Sequence, residues 1–164
     1  MTKVAVVYHS GYGHTKKQAE AVHAGAASVA PEALLIAIDA EGNISADDWA
    51  HLAAADAIIF GSPTYMGSVS WQFKKFADAS SKPWFTQAWK DKIAAGFTNS
   101  GSRSGDKLAT LIQLALFAAQ HGMHWVNLGL PPANHSTAGS ENDLNRLGFW
   151  LGAGAQSNTD QGPT

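Results

Sequence analysis

Residues 8–22 read YHSGYGHTKKQAEAV and follow the short apolar run KVAVV at 3–7. Lys3 to Tyr8 has the β-branched, apolar composition of a buried strand. From about Thr15 to Ala30, Ala19, Val22, Ala26 and Val29 recur at helical spacing, and Pro31 closes the run. Between strand and helix lie Ser10, Gly11, Tyr12, Gly13, His14 and Thr15. A strand that turns through glycines and hydroxyls straight into a helix is the opening of a βα unit. Free backbone N–H groups at such a helix start suit a phosphate monoester.

The rest of the chain repeats the alternation. LLIAI (34–38) reads as a second strand, and SADDWAHLAAA (45–55) as a helix capped by Ser45, with Asp47 and Asp48 in its first turn. AIIFGSP (57–63) is a third, continuously apolar strand. Val69, Phe73 and Phe76 mark a further helix. KIAAGFTNS (92–100) is a fourth strand, Asp106 to Gln120 a fourth helix ended by Gly122, and HWVNLGL (124–130) a fifth strand. Five strands separated by helices predict an α/β fold, a doubly wound parallel sheet in one domain spanning 1–164.

In such sheets ligands lie beyond the carboxyl ends of the strands. The loops after strands one, three and four are HSGYGHT, SPTYMGS and TNSGSRSG. The first fits neither glycine-rich nucleotide motif. Lys16 lacks the glycine spacing of a P-loop and occupies the third glycine position of a dinucleotide fingerprint. Asp39 could imitate the ribose-binding acid of that fingerprint, but a lone acid there is more often a turn residue. Ser10 and Thr15 remain as hydroxyls around a helix start. Tyr65 and Met66, set between Pro63 and Gly67, offer a wall for a flat apolar ligand. Asn99 to Ser104 offers polar donors, and Arg103 a cation for an anionic group. Taken together, the loops describe a site for a flat mononucleotide.

Composition narrows the class. The chain has 164 residues, a net charge of −2 and no cysteine. This excludes disulfides, thiolate metal sites and cysteine nucleophiles, and gives no basic patch for nucleic acid. His9, His23, His51, His124 and His135 show no metal-ligand spacing. The near-apolar stretch LATLIQLALFAA (108–119) is too short to span a bilayer, which needs roughly 20 residues. A cytoplasmic protein without a membrane partner is expected.

The segments SGYGHT (10–15), IIFGSPTYMGSVSWQFKKF (58–76), KIAAGFTNSGSRSG (92–105) and AAQHGM (118–123), with the spacing between them, resemble the flavodoxin-like NAD(P)H:quinone oxidoreductases typified by the tryptophan-repressor-binding protein, WrbA. The resemblance runs from Lys3 to about Leu130. It implies the strand order 2-1-3-4-5, FMN as cofactor, NAD(P)H as electron donor and a quinone-type acceptor. By position, it implies that Ser10, Tyr12, Gly13, His14 and Thr15 cradle the FMN phosphate. Pro63, Thr64 and Tyr65 would line the ring and ribityl chain, with Met66 and Gly67 beside them. Asn99, Ser100, Gly101, Ser102, Arg103 and Ser104 would follow the third edge. The family's substrate-site tryptophan, often contributed by a neighbouring subunit, falls on Trp84 and its active-site histidine on His121. Taken alone, His121 reads as a helix-end residue and Trp84 as loop packing. Two other functions share these features: an electron-transfer flavodoxin, and a flavin-binding interaction module without turnover of its own.

The sequence departs from the family in three places. Arg103 and Ser104 stand where glycine is usual. The insertion between strands two and three that helps build the family's tetramer is largely missing. After Leu130 the chain is rich in Gly, Ser, Asn and Pro, so 131–164 is expected to be irregular and the final helix of the fold absent. DKLATLIQLALFAAQ is apolar around most of its circumference, and Trp71 lies off the Val69–Phe73–Phe76 face. A homo-oligomer, dimer or tetramer, would cover both.

Overall fold

The chain is analysed as a computed structural model that describes residues 1–163. Its elements in order are β1 (Val4–His9), α1 (His14–Val29), β2 (Leu34–Ile38), α2 (Ala46–Ala54), β3 (Ala57–Tyr65) and β4 (Ser68–Val69). Then come α3 (Trp71–Ala79), α4 (Ser81–Phe85), β5 (Ile93–Ser100), α5 (Lys107–Gln120), β6 (His124–Trp125) and β7 (Ala153–Gln156). The long strands run parallel in the order β2-β1-β3-β5-β6, with β4 folded back antiparallel on β3. With β6 and β7 counted as one position, this is the expected flavodoxin-like order.

Strand periodicity explains the two-sided core. Ala5 and Val7 of β1 face a large cluster with Leu52 of α2, Phe73 and Phe76 of α3, and Leu111, Leu114 and Ala118 of α5. Val6 and Tyr8 face the other way, with Ala19 of α1 and Phe97 of β5. The second face is thinly covered: Ile59 and Ala95 stay half-buried and Ile93 is exposed. Val29, expected on the apolar face of α1, is 84% exposed at the helix end.

Local chemistry fixes the helix starts. At α2, Ser45 Oγ accepts from the Asp48 N–H at 3.0 Å, while the Asp48 carboxylate accepts from the Ser45 N–H at 3.2 Å. Such a capping box contributes about 1 kcal/mol. At α3, Ser70 Oγ accepts from the Phe73 N–H, and the Ser70 N–H donates to the buried Ser62 Oγ at 3.0 Å. Asp39 holds the N–H groups of Glu41 and Asn43, so it is a turn residue.

The fifth strand differs from expectation. Residues 124–130 do not form one strand: β6 stops at Trp125, opposite Ala94. Gly129, Pro131 and Pro132 weaken any continuation, since proline cannot donate to a ladder. The vacated edge is taken by β7, which pairs with Phe97–Ser100. The 131–164 stretch is therefore not wholly irregular. Only small residues fit here: a Cβ on Gly152 would strike the Gly96 carbonyl, and one on Gly154 the Phe149 ring. The segment between the two half-strands is tied down. Trp125 Nε1 donates to the Leu151 carbonyl at 2.9 Å, and Asn145 Nδ2 donates to the carbonyls of Leu130 and Phe149. Phe149 and Leu151 pack on the main core. Among the described residues no helix follows Gln120, and none is long and apolar enough to cross a membrane.

Candidate functional site

The carboxyl ends of β1, β3 and β5 open into a cleft of about 1000 Å³. Its first wall is the turn from β1 into α1. Ser10 Oγ accepts from the Gly13 N–H at 3.1 Å, and Gly13 adopts φ 93°, which favours glycine. Among the described residues no side chain caps α1, and its first turn carries no acid. The first N–H groups of α1 therefore lack an internal partner beside Thr15, whose side chain lines the cleft. His14 also lines it and donates from Nε2 to the Gln161 carbonyl at 2.8 Å.

The second wall is the end of β3. Pro63 and Thr64 are buried, while Tyr65, Met66 and Gly67 turn outward at the mouth. Met66 is fully exposed with φ 51°, and Tyr12 is 81% exposed. The Tyr12 and Tyr65 rings meet edge to face, centroids 6.4 Å apart. Burial, with a smaller contribution from Tyr12, pushes the Tyr65 hydroxyl above its usual pKa, so it keeps its proton.

Asn99, Ser100, Gly101 and Ser102 form the third wall, as expected, and Gly105 joins them. Arg103 and Ser104 do not. They line a separate hollow against the 127–151 segment, where Arg103 pairs with Glu141 at 3.0 Å. A fourth wall went unforeseen: Ser157 to Gln161, carried to the cleft by β7. Ser157 Oγ donates to Asn99 Oδ1 at 3.0 Å, and Gln156 Nε2 donates to the Gly101 carbonyl at 3.0 Å. Its sequence signal was slight: SNTDQG follows the run GAGAQ, whose small residues hide a strand.

Two residues of α5, Lys107 and Thr110, hold this cleft from below, and a third, Gln113, holds the β4 hairpin beside it. Lys107 Nζ donates to Ser100 Oγ and to the Ser102 and Arg103 carbonyls, at 2.7, 2.7 and 2.8 Å. Thr64 Oγ1 donates to Thr110 Oγ1 and accepts from Thr98 Oγ1, both at 2.8 Å. Gln113 Oε1 accepts from Ser68 Oγ and the Val69 N–H, both at 3.0 Å. The wall positions are thus fixed by buried polar contacts rather than by loop sequence alone.

Trp84 and His121 are not brought to this cleft by their own chain. Trp84 sits in α4, a short helix rather than a loop, and is 44% exposed. Both residues line a second hollow of about 620 Å³, mainly apolar, between α3, α4 and α5. His121 is 2% exposed. Ser80 Oγ donates to the Ala77 carbonyl, so it accepts from His121 Nε2–H at 2.8 Å. His121 Nδ1 is then a bare buried acceptor. Burial among Trp89 and Phe117 lowers the His121 pKa to about 4, and the ring is neutral.

An uncapped helix start, a flat aromatic mouth and a polar rim together fit a flavin mononucleotide. Comparison with known proteins agrees. The model of the NADPH-dependent FMN reductase family matches residues 45–137, more than half of the chain. Flavodoxin FldP of Pseudomonas aeruginosa is 54% identical over 160 residues, covering 98% of this chain and 84% of that protein. An NAD(P)H dehydrogenase (quinone) of Syntrophus aciditrophicus is 33% identical over 148 residues, covering 79% and 72%. The crystal structure of a WrbA-like flavodoxin from Agrobacterium tumefaciens is 60% identical with a TM-score of 0.75, covering 90% of each chain. Fold and cleft define a flavodoxin-like flavoprotein. The chain belongs to the NADPH-dependent FMN reductase family. That membership indicates FMN as cofactor and NAD(P)H as electron donor.

Proposed function

We propose that this protein takes two electrons from NAD(P)H through FMN held in the cleft and passes them to a quinone-type acceptor. The reading is carried by the change in character along the cleft, from free N–H groups at α1 to the exposed rings of Tyr12 and Tyr65. Bound FMN supplies the hydride and electron chemistry; the protein binds, orients and shields. The α1 N-terminus and Thr15 take the phosphate. Tyr12, Tyr65 and Met66 shape an open mouth where a nicotinamide and then a flat acceptor are stacked in turn. Tyr65 keeps its hydroxyl proton and offers it as a hydrogen-bond donor. Arg103 and Ser104, which line the neighbouring hollow, stay outside the cleft wall.

The acceptor site is completed by a second copy of the chain, in a homo-oligomer acting in the cytoplasm. Trp71, Trp84, Phe85, Leu116 and Ile112 are all large apolar residues left exposed. Packed against a partner, Trp84 serves the partner's cleft mouth. His121 acts as a positioning residue, since its bond to Ser80 fixes the junction of α3 and α4. A second reading, a flavodoxin that carries electrons without turning over NAD(P)H, draws support from the similarity to FldP and the WrbA-like flavodoxin.

One titration separates them. Protein loaded with FMN, freed of excess and made anaerobic, should bleach on adding NADH or NADPH and recover its absorbance on adding a benzoquinone. Bound flavin inert to both nucleotides supports the carrier. Trp84→Ala should lower quinone turnover about tenfold with FMN still bound; unchanged kinetics at full occupancy would remove Trp84 from the acceptor site.

A further inference from the structure

Lys107 is an anomaly that the reductase reading does not absorb. It is fully buried, 0% exposed. It opens α5, and the N-terminus of a helix is the unfavourable end for a cation. Among the described residues no carboxylate lies within 4.0 Å of it; its three partners are a hydroxyl and two carbonyls, all on the third cleft loop. An isolated buried charge is costly unless something compensates it. The chain also bends to build this arrangement. Gly105 and Asp106 take φ 55° and 54° in succession, folding the loop back over the ammonium. The Phe149 ring closes the other side, its centroid 5.7 Å from Nζ. A local arrangement this unfavourable is expected at a functional site rather than in a scaffold.

We propose that Lys107 is a positioning residue for the third cleft wall and that its charge is answered by the ligand, so that the protein holds reduced FMN more tightly than oxidised FMN. The proposal rests on FMN occupying the cleft. Uptake of two electrons and one proton leaves added negative charge on the flavin ring, and a fixed cation beneath the polar rim favours that state. The same ammonium orders Ser100 and Ser102 in both states.

The other charged groups nearby do not replace it. On its own loop, Arg103 is paired with Glu141 from the segment between β6 and β7, and Asp106 is exposed. Arg146 of the same segment lines the outer hollow beside Arg103. Asp160 and His14 face the cleft from the fourth and first walls. Burial lowers the Lys107 pKa to about 8. Added negative charge on the ligand raises it again, so above pH 8 reduction draws an additional proton onto Lys107.

The test is the FMN midpoint potential of the loaded protein from pH 6.5 to 9.5, with dissociation constants for oxidised FMN measured in parallel. The wild type should show a steeper fall of potential with pH above about 8. Lys107→Met should bind reduced FMN at least tenfold less favourably relative to oxidised FMN, a drop of about 30 mV for a two-electron couple. It should also lose the break in slope. Lys107→Arg, which stays charged across this range, should keep the potential at pH 7 and lose the break. If Lys107→Met does not fold, Lys107→Arg decides: a persisting break overturns the proposal. So does a Lys107→Met protein with unchanged potential, even if both forms of FMN bind more weakly. A wild type that retains no FMN overturns the functional reading itself, which sets that failure apart.

Discussion

Two hollows flank the β4 hairpin, and they are built in opposite ways. The cleft at the strand ends is walled by four loops and supported by hydroxyls and an ammonium. The hollow between α3, α4 and α5 is walled by helices and lined by Val69, Phe73, Leu116 and Phe117. Its charged groups, Lys74 and Asp78, pair with each other at the exposed edge, and His121 at its base is buried and neutral. The first has donors without partners and therefore suits a charged ligand. The second has apolar surface without cover, which suits a protein surface or an apolar ring. A hollow's capacity for chemistry follows from which atoms it leaves unpaired, not from its size.

That contrast is open to attack from either side. The largest effect should come from Gly13→Val, which forces a β-branched residue to φ 93° and distorts the start of α1. FMN affinity should fall at least 100-fold in a fluorescence titration, with self-association unaltered. Loss of both would mean that the two hollows are not independent.

Next comes acid sensitivity. His121 has a folded pKa of about 4 against an unfolded 6.5, so the unfolded chain binds more protons between these values. Its contribution is present in full above pH 6.5 and declines as pH falls towards 4. At pH 5 the loss relative to pH 7.5 should be about 2 kcal/mol by urea unfolding. His9, also buried and lowered, pushes in the same direction. His121→Gln should flatten the His121 part alone; an undiminished pH dependence would show that the ring is not buried and neutral in solution.

The smallest change is Leu116→Glu, which places a charge on the exposed apolar face of α5. Self-association by sedimentation should weaken about tenfold while FMN affinity stays within twofold. A protein that remains oligomeric would place the contact elsewhere.

Much of this was legible in the sequence. The strand–turn–helix rhythm up to Gly122 and the Ser45 cap were readable from spacing, because local propensity and burial agree there. Three loop walls were readable because the fold dictates where carboxyl ends meet. What escaped is equally physical. β7 is made of Gly, Ala and Gln, so its strand character comes only from the close fit beside β5 and carries no propensity signal. The polar stripe Lys107, Thr110 and Gln113 hides in a helix that reads as apolar all round, since two buried polar residues and one half-buried amide look like its solvent face until their partners are known. Trp84 and His121 are adjacent to the site in family pattern but not in this chain, a distance that no one-dimensional spacing reports.

The split fifth strand also bears on the order in which the molecule assembles. Its first half is made by residues 124–125 and its second half by 153–156, so the chain must close a long loop before the edge is complete. Loop closure of this kind costs entropy before any pairing rewards it, which favours late formation. The fourth wall of the cleft follows directly after that last piece. Hydrogen exchange should therefore find Ala153–Gln156 opening well before β1, β3 and the rest of β5. A ligand that bridges the first and fourth walls would slow that opening, tying the late-forming edge to the β1–α1 turn.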